Sequence, residues 1–146
     1  MKFTAELPAR TLPRRRDMIA AGAAVVAILF GRRSARAHDA GDVTLVYVGA
    51  EDCPPCRTWQ RGDGAAFRAS PEFTRLTYRE IESPTLFDVL KDEHWPADLR
   101  RYRDQLPRGA GVPLWLVVAG DKVVVQDFGE SRWRANVLPT VKSLLR

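Results

Sequence analysis

Fifteen residues, Val43 to Arg57 (VTLVYVGAEDCPPCR), constrain the fold of this chain more than any others. Val43–Val48 is a short, nearly continuous apolar run rich in β-branched residues, which predicts a strand buried on both faces. A short loop then delivers Cys53 and Cys56 at C-x-x-C spacing. Pro54 and Pro55 suit the first turn of a helix, where a missing N–H leaves no hydrogen bond unmade. Strand, C-x-x-C and helix in that order are the setting in which two cysteines signal redox chemistry.

These are the only cysteines among 146 residues. A structural bridge closing so short a loop would add little entropic stabilisation. A zinc site needs about four ligands, and only His38 and His94 are available to join two sulfurs. The redox reading therefore leads, and it requires neither a metal nor a cofactor.

A chain of this length supports one domain with one core. The formal charge of +5 invites a nucleic-acid or membrane partner, so its location matters. Residues 1–37 carry eight Lys or Arg against Glu6 and Asp17, a net of +6. The remainder holds 15 basic and 16 acidic residues, a net of −1. The basic character belongs to the first 37 residues, and a nucleic-acid reading loses its main support. Arg14-Arg15-Arg16 precede an apolar run from Met18 to Phe30, and Ala35-Arg36-Ala37 offers a small-x-small cleavage site. This is the layout of a secretory signal peptide, with cleavage expected after Ala37. Arg15-Arg16-Asp17-Met18-Ile19 resembles the twin-arginine export motif. The 13-residue run falls short of the roughly 20 residues that span a bilayer, so no stable span is expected after cleavage. Export places the mature domain, 38–146, in a periplasm-like compartment where disulfides persist.

Within 38–146 the pattern alternates between strand and helix signals. Arg57–Gln60 continues the helix after Cys56 until Gly62-Asp63-Gly64 interrupts it, and Ala65–Ala69 forms a further turn. Leu76–Ile81 alternates as a more exposed strand. Ser83-Pro84 reads as a helix start, with Leu86, Phe87 and Leu90 on its apolar face. Trp95-Pro96 opens a charged helix over Ala97–Leu106, in which Arg100, Arg101 and Arg103 read as a solvated face among acids. His94-Trp95 reads as surface. Leu114–Ala119 and Lys122–Phe128 form a hairpin around Gly120-Asp121. Ser131 caps a final helix to Leu145, which Pro139 kinks or restarts.

This order resembles the thioredoxin fold: an α/β domain with a central mixed four-stranded sheet flanked by helices. The resemblance covers about Val43 to Arg146. Cys53-Pro54-Pro55-Cys56 stands where that family has its Trp-Cys-x-x-Cys box, Val112-Pro113 where it has a cis-proline, and Gly129 where a glycine follows the last strand. Residues 82–108 read as an insertion before the cis-proline. The exported setting is similar to that of TlpA-like, cytochrome c maturation and sulfur-oxidation accessory proteins. The resemblance implies a thiol–disulfide oxidoreductase in which Cys53 is the nucleophile, Cys56 resolves, and Pro113 completes the site. Val112 would then pair its backbone with the substrate chain, and Pro54 and Pro55 would line the approach. The implied partners are exported proteins with cysteines and a membrane electron donor or acceptor.

Three features depart from the family pattern. The tryptophan before the first cysteine is Asp52, the buried acid on the preceding strand is Tyr47, and Pro-Pro removes two backbone donors. Glu51 becomes the candidate proton acceptor for Cys56. The alternative reading is a thioredoxin-fold binding module with a permanent Cys53–Cys56 bridge, its Val112 edge holding a partner.

Overall fold

The computed structural model describes residues 42–107 and 109–146. The expected leader, its cleavage point and His38 lie outside the described residues.

The elements in chain order are β1 (Val43–Ala50), α1 (Pro54–Arg61), α2 (Asp63–Arg68), β2 (Thr77–Ser83) and α3 (Ala97–Arg103). After them come β3 (Leu114–Ala119), β4 (Lys122–Phe128), α4 (Glu130–Arg132), a π-helical segment (Trp133–Val137) and α5 (Leu138–Leu144). The strands form one sheet in the order β2-β1-β3-β4. β1 runs parallel to β2 and antiparallel to β3, and β3 and β4 form the expected hairpin. Thus β1 and β3 are the interior strands, which is why both read as unbroken apolar runs. Their residues alternate between two cores. Leu45, Tyr47, Trp115 and Val117 face one, with α1 and α5; Val46, Val48, Leu114 and Leu116 face the other, with α3. Among the described residues no helix is long and apolar enough to cross a membrane.

The first core is aromatic. Trp59, one turn beyond Cys56 on α1, stacks on Tyr47 with ring centroids 4.7 Å apart and meets Trp133 edge-on at 5.0 Å. Such pairs contribute about 0.5–1.5 kcal/mol beyond their buried area. They clamp α1, and with it the cysteines at its start, onto β1.

The terminal helix restarts rather than kinks. Trp133, Val137, Val141 and Leu145 are all buried at intervals of four. At 3.6 residues per turn such a row drifts about 40° per step. The π segment, with its wider i→i+5 ring, takes up that drift. Pro139 then falls in the first turn of α5, where it needs no donor. Gly129, at φ 87°, caps the start of α4, and Ser131 lies inside that helix.

Two expectations fail between β2 and β3. Residues 84–91 form bends and turns, not a helix. Ser83 is still the last residue of β2, paired with Ala50, and its hydroxyl donates to the Thr85 carbonyl at 2.7 Å instead of capping a helix. Trp95 is also not a surface residue. It is 1% exposed in the second core, and its indole N–H donates to the Val89 carbonyl at 2.7 Å. On α3, Arg101 is exposed as expected, whereas Arg100 and Arg103 are held by neighbouring groups. Arg103 bonds Asp92 and Asp104, and Arg100 donates to the Trp95 carbonyl at 3.0 Å.

Candidate active site

Cys53 is the N-cap of α1 and Cys56 lies one turn in, both joined in a disulfide. The short separation and the helical start explain how two residues three apart meet. Pro54 and Pro55 have no N–H, so the first amide able to face the cap sulfur is that of Cys56. It donates to Sγ of Cys53 at 3.1 Å. An N–H at a helix N-terminus favours negative charge on the group it faces. The proline pair thus leaves one backbone donor where an ordinary first turn has more. Pro54 and Pro55 are themselves exposed and flank the pair.

Val112 comes to the sulfurs from 59 residues away. Its carbonyl oxygen lies 4.0 Å from Sγ of Cys53, and its side chain packs on the cluster of Ala50, Cys53 and Cys56. The Val112–Pro113 bond is cis. Pro113 is buried, and its carbonyl accepts from the Gly129 N–H at 2.9 Å, so the glycine after β4 holds the start of β3. Cys53, Cys56, Val112 and Pro113 therefore come together at the start of α1. The fold is thioredoxin-like.

Comparison with solved structures finds partial overlaps. The chain is similar to the thioredoxin Mala s 13 of Malassezia sympodialis, with a TM-score of 0.49 and 11% identity over 74% of this chain and 82% of that one. Trxlp of Edwardsiella tarda gives 0.45 and 22% over 75% and 88%. The oxidised thioredoxin of Plasmodium falciparum gives 0.45 and 13% over 74% and 86%. No protein-family model and no curated protein matches the sequence.

The departures have visible consequences. Tyr47 is fully buried and its hydroxyl has no hydrogen-bond partner. The nearby Gln60 amide donates to Glu80 at 3.2 Å and Glu82 at 3.3 Å instead. Burial, then the Glu82 and Glu80 charges, pushes the Tyr47 phenol well above its ordinary value, so it stays protonated. Asp52 does not turn toward the sulfur: its Oδ1 accepts the Leu86 N–H at 2.8 Å. Glu51 is exposed, its N–H donating to Ser83 and its carbonyl accepting from Arg57.

Sequence reasoning missed the Asp52–Leu86 link, because nothing local joins positions 34 apart. It also missed how deeply the pair is buried, with Cys53 1% and Cys56 0% exposed. Among the described residues no three His, Cys, Asp or Glu side chains stand together as a metal site.

Proposed function

We propose that this chain is an exported thiol–disulfide oxidoreductase that exchanges disulfides with cysteines of other exported proteins. The observation that carries it is the Cys53–Cys56 disulfide at the start of α1, with the Val112 carbonyl 4.0 Å from the first sulfur. Export and a periplasm-like location rest on the arginine–apolar–Ala-Arg-Ala pattern of residues 1–37.

In the reducing direction the Cys53 thiolate attacks one sulfur of a substrate disulfide. That S–S bond breaks, and the other substrate sulfur leaves and takes a proton. Deprotonated Cys56 then attacks Sγ of Cys53, reforming the internal disulfide and releasing the second substrate thiol. Two electrons and two protons reach the substrate. The reverse sequence oxidises a dithiol. During the mixed disulfide, Val112 offers backbone for the substrate strand to pair with and Pro113 keeps that edge beside the sulfurs. Asp52 is committed to Leu86, which leaves Glu51 as the carboxylate beside the motif to take the Cys56 proton. Recharging a reductase outside the cytosol requires a membrane electron donor.

The test is Cys56→Ala. The variant is expected to accumulate mixed disulfides through Cys53 with particular exported proteins, seen on non-reducing gels and lost with dithiothreitol. A reduction potential near about −270 mV marks a reductase, and one near about −120 mV an oxidant. Burial of both sulfurs favours one second reading, a binding module with a permanent bridge. That reading gains if Cys56→Ala traps nothing and the bond resists reduction below about −300 mV.

A further inference from the structure

The 84–91 segment is irregular yet fastened on both sides of its most exposed residue. Before Phe87, the Leu86 N–H is held by the Asp52 carboxylate at 2.8 Å. After it, Val89 is buried in the second core, and its carbonyl is held by the Trp95 indole at 2.7 Å. Turn hydrogen bonds close the interval, Asp88 N–H to Thr85 at 3.1 Å and Lys91 N–H to Asp88 at 2.8 Å. Between these ties Phe87 is 96% exposed, with Leu86 at 43% and Leu90 at 40%. A tethered loop that holds a phenylalanine in water forgoes the gain of burying its ring. A partner that covers the ring recovers it.

The position of the loop says which partner. Asp52 precedes Cys53, so the Phe87 backbone lies within about 16 Å of the Cys53 backbone along the bonded path. An extended polypeptide covers that distance in about four or five residues. A second line of contacts runs from Cys53 to Val112 and its neighbour Gly111. The Phe128 ring, half-exposed, lies against Gly111. Phe87 and Phe128 are thus exposed apolar side chains fastened to residues that adjoin or contact Cys53.

We propose that residues 84–91 are the substrate-selecting arm of this site. Phe87, with Leu86 beside it, receives an apolar side chain of the polypeptide whose disulfide is exchanged at Cys53. Asp52 is a positioning residue that holds the arm at a set distance from the sulfur. This rests on the oxidoreductase reading.

The experiment compares two short peptides, each with one cysteine and dimerised through it. One carries Leu and Phe within about four positions of the cysteine, the other Ser there. Reduction rates by the dithiol protein are divided by its rate on glutathione disulfide. The apolar peptide is expected to exceed the serine peptide about tenfold, a factor worth about 1.4 kcal/mol. Phe87→Ser should bring the two ratios together, and Phe87→Leu should retain part of the difference. Asp52→Ala should also lose the preference, whereas Asp52→Asn keeps an acceptor for Leu86 and should retain it. Unchanged preference in Phe87→Ser overturns the proposal, as does loss of self-association in that variant with the ratios intact. Equal effects of Asp52→Ala and Asp52→Asn overturn the role given to Asp52. If Cys53 and Cys56 undergo no reversible exchange with glutathione in either its reduced or its oxidised form, the oxidoreductase reading itself falls.

Discussion

At Tyr47 a single side chain does the packing of an aromatic core residue at the position where the related fold often keeps an acid. Its ring is stacked on Trp59, so the residue is held by packing while its hydroxyl stays unpaired. An unpaired buried polar group costs about 1–3 kcal/mol, so Tyr47→Phe is expected to hold or raise stability by about 1 kcal/mol. Urea denaturation of the two proteins checks this. The hydroxyl also explains Gly49, where a Cβ would stand 2.4 Å from it. Gly49→Ala should cost about 1–3 kcal/mol through overpacking, and adding Tyr47→Phe should recover part of the loss. A double-mutant cycle reads that coupling directly.

Among the elements, the 84–91 segment shows where a local pattern misleads. Ser-Pro followed by apolar residues is a sound helix signal, and in this chain tertiary contacts overrule it. β2 extends through Ser83, Asp52 takes the Leu86 amide, and Trp95 takes the Val89 carbonyl. Those ties replace the amide bonds a helix would have made. Trp95→Phe would leave the Val89 carbonyl unpaired in a buried setting, a loss of about 2 kcal/mol. Hydrogen exchange should then speed up at Asp88 and Lys91 while the β1 and β3 amides keep their protection. The terminal helix carries the opposite lesson. Its four-residue spacing of Trp133, Val137, Val141 and Leu145 is printed in the sequence, yet the π segment that accommodates it becomes visible only against the sheet.

Among the described residues, charge is arranged so that stability should fall at both ends of the pH range. Burial raises the Tyr47 and Tyr78 phenols above the ordinary 10.0. The unfolded chain therefore ionises first, and that contribution, present below pH 10, is lost as pH rises beyond it. At the other end Lys91, Arg103 and Arg79 hold the Asp88, Asp92 and Asp98 carboxyls below the ordinary 3.8. Their contribution is present above that value and lost as pH falls through the lowered range. The groups are exposed, so the acid effect should be the smaller and should weaken in salt. Melting temperatures against pH at two ionic strengths test both signs.

The sequence by itself determined the sheet and the placing of the cysteine pair at a helix start. Interior strands announce themselves as unbroken apolar runs, so β1, β3 and the hairpin to β4 were legible within a few residues. C-x-x-C before a helix, and Val-Pro before a strand, are local patterns whose chemistry follows from backbone geometry. Only the tertiary structure decided what surrounds them. It turned Asp52 away from Cys53 toward Leu86, buried Trp95 in the second core, and left Phe87 in water. Each depends on contacts that form only when the segments pack together. No periodicity or spacing encodes such a meeting, because the bond energies that favour it exist only once both partners have arrived.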